Sequence, residues 1–131
     1  MKRVVALIIS MMLMVASASV ACAAVDFEDK TISFTNKSAY GSIVSDSTSK
    51  AKEANTDYAR LYITNNTSSV NSVFRTYYNG SYVSREYFKR ETAGTWMYYN
   101  TNVPAEKYVN LRGRPDSSVS TCKITGSFGA G

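Results

Sequence analysis

The sequence predicts an all-β protein: a single-domain antiparallel β-sandwich of about seven short strands, preceded by an export signal. Two observations carry that expectation. Apolar and polar residues alternate with the two-residue period of a half-buried strand in several separate runs. Those runs are strand-sized and are divided by Ser, Thr, Asn and Gly clusters at a spacing of roughly 8–12 residues.

Residues 1–23 read as a signal peptide. Lys2 and Arg3 give a positive start, residues 4–15 an apolar run, and Ala21-Cys22-Ala23 a small-x-small cleavage site. The run is short of the roughly 20 residues that a spanning helix needs, so no stable membrane insertion is expected. A lipid anchor through Cys22 is the alternative, although Ser19 stands where a lipoprotein signal usually has Leu. The mature domain is expected to be 24–131.

Within it, residues 31–35 alternate around Ile32 and Phe34. Residues 57–64 place Ala59, Leu61 and Ile63 on one face and Tyr58, Arg60 and Tyr62 on the other, and Asn65-Asn66-Thr67-Ser68-Ser69 supplies a turn. Residues 70–78 and 81–87 flank Asn79-Gly80, the strongest hairpin signal in the chain, because both positions of a type I′ turn need positive φ. A two-residue turn pairs Tyr78 with Ser81, Tyr77 with Tyr82, Thr76 with Val83 and Arg75 with Ser84. One face then carries Val73, Arg75, Tyr77, Tyr82, Ser84 and Glu86; the other carries Phe74, Thr76, Tyr78, Ser81, Val83 and Arg85.

Further strands are expected at 95–101, around Trp96-Met97-Tyr98-Tyr99; at 107–112, with Val109 and Leu111 facing one way; and at 119–128, with Cys122, Ile124 and Phe128 sharing a face. Arg112-Gly113-Arg114-Pro115-Asp116 reads as a strand end followed by a turn, its two arginines extending a basic surface. Residues 47–55 read as a polar edge strand or a single helical turn.

Composition narrows the function. The 15 basic residues fall to 13 once Lys2 and Arg3 leave, against 10 acids. That bias favours anionic polymers or headgroups and is too weak to argue for nucleic acid. Histidine is absent from the sequence, which removes Ser-His-Asp and Cys-His catalysis and the usual zinc ligand sets. Neither a cofactor nor a metal is expected, and the protein is read as no enzyme.

A carboxylate-based hydrolase is the remote alternative, and Glu86, Glu91, Glu106 and Asp116 are the acids of the basic half. Glu86 and Glu91 sit beside Arg85, Lys89 and Arg90, so surface ion pairing is the expectation for them. Asp26, Glu28 and Asp29 lack the spacing of a calcium loop and are expected to be solvated. Cys122, lone in the mature chain, is expected to be buried. Arg75 with Tyr77 and Tyr82 forms the candidate ligand face, since an arginine beside aromatic rings can hold an anionic sugar or stack on a partner.

The signal peptide, the segment Lys107-Tyr108-Val109-Asn110-Leu111-Arg112-Gly113-Arg114 and the closing Ile124-Thr125-Gly126-Ser127-Phe128 resemble small secreted proteins of Gram-positive bacteria, some loosely grouped with lactococcin-972-like bacteriocins. The resemblance implies a small β-sandwich with an extracellular role and no catalytic residues. The expectation is a secreted, non-enzymatic binding protein whose partner is a cell-wall polymer or an extracellular protein, with a bacteriocin-like antibacterial protein as the alternative.

Overall fold

The computed structural model describes residues 24–34, 39–45, 52, 56–89, 93–116 and 119–131. The signal segment, with Cys22, lies outside them, as does 47–55 except for Lys52. Nine strands form among the described residues, where about seven were expected: β1 (Val25–Ser33), β2 (Gly41–Val44), β3 (Tyr58–Asn66), β4 (Ser72–Tyr78), β5 (Ser81–Tyr82), β6 (Tyr87–Lys89), β7 (Ala93–Tyr98), β8 (Asn110–Pro115) and β9 (Thr121–Gly129). They build two antiparallel sheets packed as a sandwich. The first runs β1-β9-β3-β7; the second runs β2-β8-β4-β5, with β6 also paired to β4.

Alternation puts the core where the sequence expects it. Ala59, Leu61 and Ile63 of β3 are buried, and so are Cys122, Ile124 and Phe128 of β9, Leu111 of β8 and Val109 just before it. Phe27, Ile32, Ile43, Val44, Phe74 and Met97 complete the inter-sheet layer. Each large side chain removed from water this way contributes about 1.5–3 kcal/mol.

The Asn79-Gly80 turn has φ of 45° and 81°, and β4 meets β5 in the expected register, Tyr77 opposite Tyr82 and Tyr78 opposite Ser81. The hairpin then stops short of the predicted 81–87 strand. Val83 N still donates to Thr76 O at 3.0 Å, but the next ladder acceptor is a side chain, Ser84 Oγ, which accepts from Thr76 N at 3.0 Å. A serine hydroxyl competing with the backbone in this way breaks a strand. The chain turns away, Ser84 pairs with Tyr99, and β6 returns two residues out of register with Tyr87 opposite Phe74.

Three expectations are corrected here. Arg85, predicted on the face of Phe74 and Val83, is exposed, and Tyr87 takes the inward place opposite Phe74. Ser84, predicted on the ligand face, is buried by its backbone bond. The turn predicted at Gly113 and Pro115 is instead strand, because β8 pairs with β4 through Pro115.

Gly113 serves a close approach in the core. A Cβ there would lie 2.7 Å from Ile43 Cδ1 and 3.1 Å from Phe74 Cδ1. The strand expected at 95–101 starts two residues earlier and ends three earlier, as β7, and Lys52 exchanges backbone bonds with Glu106 and Lys107.

Candidate functional site

The sandwich presents two aromatic outer faces. On the β4–β8 sheet, alternation sends Arg75 and Tyr77 of β4 outward, together with Arg112 and Arg114 of β8 and Tyr82 of β5. Arg75 is the direct cross-strand partner of Arg112. The predicted trio is brought together: Tyr77 and Tyr82 meet edge to face at 5.3 Å, and the Arg75 guanidinium lies 4.3 Å from the Tyr82 ring centre. Its Nε donates to Ser84 O at 3.1 Å. Arg112 lies closer still, 3.5 Å over Tyr77. All four are half-buried.

Arg114 is nearly enclosed, at 6 % exposure, and does not extend the surface as the sequence suggested. It stacks between Tyr40, at 5.2 Å, and Phe34, at 5.5 Å, and its Nη2 is 3.5 Å from Glu86 Oε1. Tyr40 donates its hydroxyl hydrogen to the same carboxylate. The partner of Glu86 is thus a distant strand, not its neighbours Arg85 and Lys89; Glu91 lies outside the described residues. Burial raises the Tyr40 pKa above its ordinary 10.0, the Glu86 carboxylate adds to the rise, and Arg114 opposes it.

On the other sheet, β3 and β7 pair Tyr58 with Tyr98, Arg60 with Trp96 and Tyr62 with Gly94. Tyr62, Trp96 and Tyr98 are exposed at 44 %, 52 % and 57 %. Tyr58 packs 4.4 Å from Trp96 and 5.9 Å from Tyr98, and Arg60 lies over both Tyr58, at 5.8 Å, and Trp96, at 5.4 Å. Beside them a shallow groove of about 330 Å³ is lined by Arg60, Tyr62, Gly94, Trp96 and Ser127. Tyr62, Trp96 and Arg60 give it two rings and a cation among smaller side chains, which suits stacking against a partner.

Sequence reasoning assigned Tyr58, Arg60 and Tyr62 to one face but missed this site. The signal that could have completed it is the matching alternation of Trp96 and Tyr98. Asp26, Glu28 and Asp29 fall on β1, exposed, with Asp29 at a bulge and φ of 46°. Among the described residues no three His, Cys, Asp or Glu side chains gather as a metal site would require. The chain matches no family model, no curated protein and no solved structure.

Proposed function

We propose that the protein is a non-enzymatic binding protein that works outside the cell and holds a cell-wall polymer against the β3–β7 face. The observation that carries this reading is the exposure of Tyr62, Trp96 and Tyr98 side by side around Arg60. Large rings left in water on one face mark an interaction surface more often than chance. Tyrosine and tryptophan supply contact area with few rotatable bonds, so little entropy is lost when a polymer docks. The Arg60 guanidinium adds a cation suited to acidic groups along such a chain. Export is supported by the charged start, apolar run and small-residue site of residues 1–23.

The test is retention on purified cell walls, using protein collected from culture supernatant. A mature chain starting near Ala24 is expected there; product kept in the cell with its first 23 residues attached would refute the extracellular role. Trp96→Ala and Tyr98→Ala should each weaken retention about five- to thirty-fold, the effect of losing a 1–2 kcal/mol anchor. Because both rings are exposed, the melting temperature should scarcely change. Undiminished retention by folded variants would remove this face from the function.

A further inference from the structure

The opposite sheet carries a second arrangement. Arg75 and Arg112 are direct cross-strand partners, a position in which like charges oppose folding. Each is held on its own ring, Tyr82 for Arg75 and Tyr77 for Arg112. A ring face attracts the cation, yet offers no acceptor to the N–H groups in the guanidinium plane. Arg112 Nε is buried without a hydrogen-bond partner and Arg75 Nε is used by Ser84 O, so the donors that the two arginines can present to a ligand are their Nη groups.

Among the described residues no carboxylate stands within ion-pair distance of Arg75 or Arg112, and Glu86 is engaged by Arg114 and Tyr40. Two fixed, adjacent guanidiniums thus keep directional donors that this face does not satisfy.

We propose that Arg75 and Arg112 together bind a phosphate group, with Tyr77 and Tyr82 holding the two forks in place. Phosphate fits better than carboxylate for a geometric reason. A carboxylate has two oxygens in one plane and one guanidinium fork uses both, whereas a tetrahedral phosphate offers separate oxygens to two forks. The rings fix the arginines beforehand, so less side-chain entropy is lost on binding. This site is independent of the β3–β7 face, and either can fail without the other.

The experiment follows arginine Nε–H signals by NMR while inorganic phosphate is titrated into the full mature protein at low ionic strength. Saturable shifts at Arg75 and Arg112 are expected, with acetate at equal ionic strength giving a much weaker response. Arg112→Gln should weaken binding about tenfold or more, and the surface control Lys123→Gln should leave it unchanged. Arg75→Lys keeps the charge and removes the fork; it too should bind about tenfold more weakly, which guards against a poorly folded glutamine variant.

A parallel titration with poly(glycerol phosphate) identifies the source. Tighter binding per phosphate than the free ion points to a polymer, and equal binding points to a small phosphate ester; both support the site. No saturable response to either probe, an equal response to acetate, or wild-type affinity in both folded arginine variants would overturn it.

Discussion

Arg114 shows how one residue can keep a charge almost out of water. Its guanidinium has ring faces on two sides, donates from Nη1 to the Pro115 carbonyl at 3.2 Å and meets the Glu86 carboxylate at 3.5 Å. Glu86 is 40 % exposed, so the cost of removing it falls on Arg114, which would be left enclosed without its counter-charge.

Tyr40 closes this group, and its raised pKa fixes the direction of a pH effect. The folded protein holds the phenol proton more tightly than the unfolded chain, so this contribution is fully present below the ordinary pKa of 10.0. It is lost as pH rises through the higher folded value. Tyr40→Phe should therefore cost about 1 kcal/mol near neutral pH through the lost hydrogen bond. The gap between variant and wild type should narrow above about pH 10. Urea unfolding at neutral and alkaline pH measures both; a gap that stays constant would mean the Tyr40 proton is not linked to folding.

At the level of elements, local pairing was legible and distant pairing was not. The register at Tyr77 and Tyr82 follows from a two-residue turn alone, so the Arg75, Tyr77 and Tyr82 trio could be assembled from sequence. Arg112 and Tyr40 join them only because β8 pairs with β4 and β2 with β8, pairings that nothing short-range encodes. The β3–β7 face was hidden for the same reason: three strands separate its halves in the chain.

Gly113 misled because a glycine two residues before a proline is common turn chemistry, while here it makes room between strands. Gly113→Ala should destabilise the fold by about 1–3 kcal/mol through overpacking. Ile43→Val in the same chain should recover part of that loss, since it removes the methyl that the new Cβ meets. Denaturant midpoints of the two single variants and the double variant give the coupling. A neutral Gly113→Ala would show that this close approach does not constrain β8.

For the whole molecule, the decisive contact is that between sheets, and Cys122 lies within it. The thiol is buried on β9 of one sheet, and its Sγ is 3.4 Å from Ser72 Oγ on β4 of the other. Ser72 is itself tied to Asn66 of β3, whose Nδ2 donates to it at 3.1 Å. A reagent can reach Cys122 only when the two layers part, and in a sandwich with one inter-sheet core that opening is close to global unfolding.

Native labelling by a thiol reagent should therefore be slow. Its logarithmic rate should rise linearly with denaturant, with a slope matching the equilibrium unfolding m value. Arg75, Tyr77, Trp96 and Tyr98 lie on the outer faces, so replacing them should leave this rate nearly unchanged, whereas Gly113→Ala should accelerate it. Fast labelling with little dependence on denaturant would place the opening at the start of β9 alone, where Cys122 pairs with Ile32 one position from the strand end. The sheets would then be held together without that corner.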